Sequence, residues 1–163
     1  MKTDDIDSYL KMVRNPIKFR IFLLTNLPSA FFCGVRVRSI DQEQCTASVP
    51  YKWLSRNPFR STYFACLCMA AELSTGAIAM MYVYRRTPAV SMLVVRVESE
   101  YFKKATGRTN FSCGDGEAFR KGIKECISTG EARVVKARSI GTNDKGEVVA
   151  EFLVTWSFKI RKS

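Results

Sequence analysis

The sequence predicts an α+β domain in which a curved antiparallel sheet of about six strands wraps one long buried helix, with helices at the N-terminus. Three observations predict it. Residues 61–84 form a run of 24 that holds one charged side chain, Glu72, and is apolar on every face; a helix of that kind is buried on all sides. The segments around it alternate apolar and polar residues with period two, the mark of half-buried strands. The turns between those strands are short and polar, which implies antiparallel pairing.

The elements follow in order. Thr3 is placed to cap a first helix, with Asp4 and Asp5 favoured by the helix dipole in its first turn. Asn15-Pro16 interrupts that helix, and Pro16 suits the first position of a second one running to Leu24. Two strands are expected next. In Phe31 to Ile40, Phe31, Cys33, Val35 and Val37 alternate with Gly34, Arg36 and Arg38; in Gln44 to Tyr51, Cys45, Ala47, Val49 and Tyr51 alternate with polar residues. Ser39 to Glu43 reads as their hairpin loop. The central helix, 61–84, has Ser61 or Thr62 as its expected N-cap. A transmembrane reading of this run is disfavoured: a central carboxylate is costly in lipid, and Ser61, Thr62, Ser74 and Thr75 dilute its hydrophobicity.

Beyond Thr87-Pro88, Leu93, Val95 and Val97 are expected on one strand face, with Arg96, Glu98 and Glu100 on the other. A shorter strand runs from Gly107 to Cys113. Asp115 is a candidate cap for a helix from Gly116 to Ser128 that Gly130 ends. Glu131 to Ile140 and Glu147 to Ile160 form a hairpin across Asn143-Asp144-Lys145-Gly146. No repeat or long linker divides the chain, so residues 1–163 read as one domain, with 1–28 its N-terminal helical segment.

Composition narrows the chemistry. There is no histidine, which excludes His-containing triads and His-ligated zinc, and no metal site is expected. The balance of 26 Lys+Arg to 15 Asp+Glu gives a net charge of +11, which attracts nucleic acid, anionic lipid or a phosphate-bearing small molecule. Nucleic acid is disfavoured because no recognition helix or aromatic–basic RNA motif is visible, and no membrane partner is expected. None of the six cysteines forms a Cys-x-x-Cys pair, and four lie in apolar runs as small hydrophobes. The start, Met1-Lys2-Thr3-Asp4-Asp5, lacks the pattern of a signal peptide. Both features favour a reducing cytoplasm.

The stretch Arg56-Asn57-Pro58-Phe59-Arg60-Ser61, followed by Ala70-Ala71-Glu72-Leu73-Ser74-Thr75-Gly76, resembles the hotdog-fold thioesterase superfamily. Within it the chain is similar to a thioesterase-like subfamily of undefined substrate, close to the phenylacetic-acid-degradation type of acyl-CoA thioesterase. The resemblance spans about Phe31 to Ile160. In that type an asparagine precedes the central helix and an acidic residue lies 15 positions later on it, as Asn57 and Glu72 do here. Two departures stand out: Tyr63, Phe64 and Ala65 replace a His-Gly-Gly, and the acidic residue is glutamate where aspartate is common.

The resemblance implies an acyl-CoA or related small thioester as substrate, with coenzyme A entering as part of it and no separate cofactor. It implies a homodimer or a dimer of dimers, in which Asn57 of one chain faces Glu72 of its partner. Glu72 becomes the candidate base or nucleophile, because burial raises a carboxylate pKa toward neutrality; a structural carboxylate satisfied by an arginine is the competing reading. The amides of Phe64 and Ala65, in the first turn of the helix, are candidate oxyanion donors. Asn57 is a candidate to orient water or substrate, or else a turn residue. Thr75 either positions Glu72 or bonds back into its own helix. Ser61 and Tyr63 are candidate substrate contacts, and Arg85, Arg86, Arg133, Lys136 and Arg138 are candidate phosphate contacts. Phe31, Phe32, Tyr63 and Tyr82 are candidates for interface or acyl-pocket lining. The alternative function is a non-catalytic binder of acyl-CoA or an acyl chain, motivated by the missing His-Gly-Gly.

Overall fold

A computed structural model describes residues 3–161. Three helices, α1 (Thr3–Arg14), α2 (Pro16–Asn26) and α3 (Pro28–Cys33), lead into strands β1 (Arg36–Ile40) and β2 (Cys45–Val49). The central helix α4 (Phe64–Val83) follows, then β3 (Val90–Tyr101), β4 (Thr109–Cys113), α5 (Gly116–Thr129), β5 (Arg133–Thr142) and β6 (Val148–Ile160). One six-stranded antiparallel sheet has the order β1-β2-β4-β5-β6-β3. The expected architecture is present: a curved sheet around one apolar helix, with helices at the N-terminus.

The inward sheet face supplies the reason for the curve. Cys45, Ala47 and Val49, Phe111 and Cys113, Val135 and Ala137, and Phe152, Val154, Trp156 and Phe158 are all buried. Small residues line β2 and β5, and on β6 the Trp156 ring packs at Gly76, where the helix has no side chain. Phe111 and Phe152 meet edge to face at 5.5 Å, an arrangement that adds to their burial. Fourteen of the twenty residues of α4 are buried, so length and apolarity that would suffice to cross a membrane are spent inside the sheet. Two polar contacts tie the helix in place. Ser74 and Ser139 share a hydrogen bond of 2.8 Å between fully buried hydroxyls, and Tyr9 of α1 donates to the Ala77 carbonyl at 3.0 Å.

Several expectations needed correction. Phe31 and Cys33 are not in a strand: they end α3. Pro28 occupies the first turn of this helix and Gly34 its left-handed C-cap, with φ of 82°. Those two residues override an alternation only four positions long. The N-cap of α4 is Tyr63, without a side-chain cap bond, and neither Ser61 nor Thr62 fills that role. Both hydroxyls are used in the preceding loop, Ser61 on the Asn57 side chain and Thr62 on the Ala105 carbonyl. Leu93 and Val97 do not share a face. A bulge at Val95 shifts the register, so Leu93 pairs with outward Ser157 and Val97 with inward Val154. Asp115 sits at the cap of α5, but its carboxylate accepts the Arg138 amide at 2.7 Å instead of a helix amide. Asn15 does cap α2, accepting from the amides of Ile17 and Lys18. The expected capping by Thr3 and the first-turn charge of Asp4 lie outside the described side chains.

The Ser74–Ser139 bond gives a clean test. Ser74→Ala should cost about 1–3 kcal/mol, because it strands the buried Ser139 hydroxyl, and Ser139→Ala should cost less, because Ser74 Oγ still donates to the Ala71 carbonyl at 2.7 Å. The double variant should cost less than the sum of the two, as read by denaturant unfolding.

Candidate functional site

Glu72 lies in the middle of α4 and is half-buried. Its carboxylate rests over Gly76, one turn further on, and beside the indole of Trp156. A Cβ at position 76 would stand 3.1 Å from Glu72 Oε1 and 3.1 Å from Trp156 Cζ2. The absence of a side chain at Gly76 is therefore what makes room for the carboxylate. Trp156 Nε1 donates to Thr75 Oγ1 at 3.0 Å, and Thr75 Oγ1 donates to the Glu72 carbonyl at 2.9 Å. Thr75 is fully buried, and this chain of bonds fixes the helix turn that carries Glu72. The Glu72 carboxylate itself makes no hydrogen bond or ion pair with any described residue. Burial alone holds its pKa above the ordinary carboxylate value.

Cys68, one turn before Glu72 on the same face, has its thiol pKa pushed up by burial and then by the Glu72 charge. Tyr101, at the end of β3, is pushed up by burial and, more weakly, by Cys68. Glu72 opens onto a cavity of about 280 Å³ lined by Met69, Leu73 and the turn from Asn26 to Ala30 that joins α2 to α3.

A second, larger space lies at the start of α4. A cleft of about 800 Å³ is bounded by the loop from Arg56 to Tyr63, by Phe64 and Leu67, and by Tyr101 to Ala105. Asn57 organises this loop: its Oδ1 accepts the amides of Phe59 and Ser61 and the Ser61 hydroxyl. Its amide nitrogen makes only a 3.5 Å contact to the Thr62 carbonyl, which leaves donor capacity facing the cleft. Cys66 and Leu67 donate to the Tyr63 carbonyl. The Phe64 and Ala65 amides come before that first helical bond and point along the positive end of the helix dipole. Tyr63 and Phe64 are exposed and stack edge to face at 4.8 Å.

Within one chain the two halves stay apart. Eight residues separate Phe64 from Glu72, which is about 12 Å along the helix. Glu72 and Asn57 line different cavities. The candidate phosphate contacts are scattered. Arg85 and Arg86 follow the C-terminus of α4, about 30 Å of helix from Phe64; Arg85 lies over the Tyr84 ring, and Arg86 donates to the Tyr82 carbonyl. Arg133 pairs with Glu125 and Glu131, and Arg138 grips Glu151 with two bonds of 2.5 and 2.6 Å. Lys136 lies on the outer sheet face between them. Tyr82 is buried and donates to the Gln42 carbonyl, so it belongs to the core, whereas Phe32 is exposed and Phe31 packs beneath the Arg20 guanidinium at 4.3 Å.

Cys68, Gly76, Trp156 and Tyr101 were not singled out from the sequence. The helical spacing 68–72–76 carried the signal for the first two. The cations nearest the cleft are Arg56, Lys103 and Lys104, none of which periodicity distinguishes from surface charge. Among the described residues no cluster of three Cys, Asp or Glu side chains is arranged to hold a metal ion.

The chain belongs to the family described as a domain of unknown function, DUF4442, which matches residues 18–158. No curated protein matches it. Solved structures share its fold, which is the hotdog fold. Pseudomonas aeruginosa PA5026, a protein of unknown function described as a probable thioesterase, superposes with a TM-score of 0.75 at 20% identity, covering 90% of this chain and 97% of that one. A Chlorobaculum tepidum protein of unknown function gives 0.78 at 16% identity, covering 94% and 99%. The thioesterase HI1161 of Haemophilus influenzae gives 0.64 at 8% identity, covering 90% and 91%. At these identities the likeness concerns the fold. In this DUF4442 chain the carboxylate is therefore judged on its own geometry.

Two outcomes follow from that geometry. A raised folded-state pKa means the unfolded chain releases this proton first, so stability falls as pH climbs above the unfolded value of 4.5. Glu72→Gln should remove this loss: its melting temperature should gain on the parent as pH rises above 4.5 and show no gain from this source below it. Gly76→Ala should stay within about 1 kcal/mol of the parent in stability, helix propensity offsetting crowding. It should nevertheless displace the Glu72 carboxylate, visible as a shifted Glu72 titration by NMR.

Proposed function

We propose that this chain is a thioester hydrolase acting on an acyl-CoA or related small thioester, with Glu72 as its base. The observation that carries the reading is the unpaired state of the Glu72 carboxylate. A carboxylate buried for structural reasons is matched by a cation or by several donors, since an unmatched one is costly. This one has neither, has its pKa raised by burial, and faces a cavity. Such a group is suited to take a proton from water near neutral pH.

In the proposed reaction a water oxygen bonds to the thioester carbonyl carbon while Glu72 accepts its proton. Phe64 and Ala65 amides receive the developing oxyanion. The C–S bond then breaks, and the proton on Glu72 goes to the departing thiolate. A covalent variant has Glu72 attack the carbonyl itself.

Because the amides and carboxylate of one chain are separated along α4, the reading requires two chains, with the loop at Asn57 in one facing Glu72 in the other. The edge strand β3 supports such pairing. It is 12 residues long, lies at the end of the sheet order, and exposes Leu93, Val95 and Val97. A bare apolar edge of this length is a template for a second strand. The opposite edge, β1, is covered by α1, whose Arg14 guanidinium bonds the Ile40 carbonyl at 2.8 and 3.0 Å.

A second reading, a non-catalytic acyl-CoA or acyl-chain binder, is favoured by Tyr63 and Phe64, whose side chains stand over the helix start where an unobstructed backbone would best admit a carbonyl.

The deciding experiment is release of free thiol from a panel of alkyl and aryl acyl-CoAs. Hydrolysis should be lost by at least about 100-fold in Glu72→Gln, the low end for a general base. The rate should rise with pH through a value above 4.5, since the base form appears only above the raised pKa. Unchanged turnover in Glu72→Gln would exclude this mechanism, and tight binding without turnover would select the binder.

A further inference from the structure

The helix α2 carries two apolar faces, and the core uses only one. Phe19 and Leu23 are buried. On the opposite side Ile17, Ile21 and Leu24, at spacings of four and three, form a ridge that is 71%, 57% and 44% exposed. Leu27, just past the helix end, extends the ridge at 41%. Exposed Lys18 and half-buried Arg20 flank it.

The surrounding charge is mainly positive, with Asp7, which shares a surface hollow with Lys11 and Lys18, and Asp41 as carboxylates nearby. From Ser8 to Ile40 the chain holds Lys11, Arg14, Lys18, Arg20, Arg36 and Arg38, and no Asp or Glu. Four of these, Arg14, Arg20, Arg36 and Arg38, line a groove of about 590 Å³ between α2 and β1 on the Phe19 and Leu23 side of the helix, so Lys18 and Arg20 are the cations of α2 that border the ridge itself. The groove also holds one carboxylate, Asp41, which accepts the amides of Glu43 and Gln44 at 2.8 Å each and stays ionised, so the groove carries four positive charges against one negative.

We propose that this face docks on an anionic lipid surface. The ridge of α2 lies in the plane of the interface among the acyl chains, and the flanking cations contact lipid phosphates. An apolar strip bordered by Lys and Arg is the pattern that binds membranes from one side, through buried apolar area plus attraction to anionic headgroups. A second copy of this chain is a poorer occupant, because two such faces would bring like charges together. The turn that ends the ridge, Asn26 to Ala30, also lines the cavity over Glu72, so a docked molecule would hold that cavity beside the lipid. The docking itself does not depend on the hydrolytic reading of Glu72.

The test is flotation of the full chain with vesicles of phosphatidylglycerol and phosphatidylcholine, or of phosphatidylcholine alone. Binding is expected to the anionic vesicles only, weakening as salt is raised. Ile17→Ser/Ile21→Ser/Leu24→Ser should reduce it at least about tenfold, given the apolar area removed. Leu24 and Ile21 are partly packed on the protein, so the melting temperature should fall by a few degrees while the fold, read by circular dichroism, is kept. Lys11→Gln/Lys18→Gln should reduce it too, and Glu72→Gln should bind as the parent does, which separates docking from catalysis. No binding to anionic vesicles, or undiminished binding by the triple serine variant, would overturn the proposal. So would a fall in particle mass of that variant by light scattering, which would assign the ridge to contacts between copies.

Discussion

Enclosing α4 is the constraint from which the other features follow. Its twenty residues carry one charge and no polar face, so it cannot rest on a flat sheet with one side wet. The sheet must curve until β2, β4, β5 and β6 all present apolar side chains to it. The alternation on β6 from Ala150 to Phe158 and the small residues Ala47 and Ala137 are consequences of that single demand. The large Trp156 ring is accommodated where the helix itself has no side chain, at Gly76.

The same enclosure makes Glu72 chemically unusual. A carboxylate on a surface helix would be solvated and titrate normally. Here the walls that bury it are Gly76, the Trp156 ring and Cys68, none of which compensates its charge. The protein then stabilises the backbone around the group instead of the group itself, through the chain from Trp156 to Thr75 to the Glu72 carbonyl. Rigid support with an unsatisfied head is how a base is kept available. The Thr75 hydroxyl is already engaged in this chain of bonds, accepting from Trp156 and donating to the Glu72 carbonyl.

Legibility in the sequence tracked the length of each pattern. Residues 61–84 and 148–160 are long enough for their periodicity to outweigh local signals, and both elements formed where expected. Phe31 to Cys33 is short, and there Pro28 and Gly34 decided the outcome. The face of β3 was misread because a bulge at Val95 leaves no mark on composition. At the candidate site, Glu72 stands out in the sequence by its isolation, as the one charge in residues 61–84. Gly76 and Trp156 became meaningful only once helix and sheet were brought together, since their contact spans 80 residues of sequence.

The position of Asn57 sharpens the question of how many chains make a site. Its side chain holds the loop before α4 in shape, yet one donor remains directed at the cleft. In a single chain Asn57 and the first turn of α4 line the cleft, while Glu72 lines the cavity beside the first turn of α3. An assembly in which β3 edges meet would bring the missing half to each. On the proposed two-chain reading, the unpaired edge of β3, the carboxylate without a partner among the described residues and the first-turn amides would belong to one arrangement.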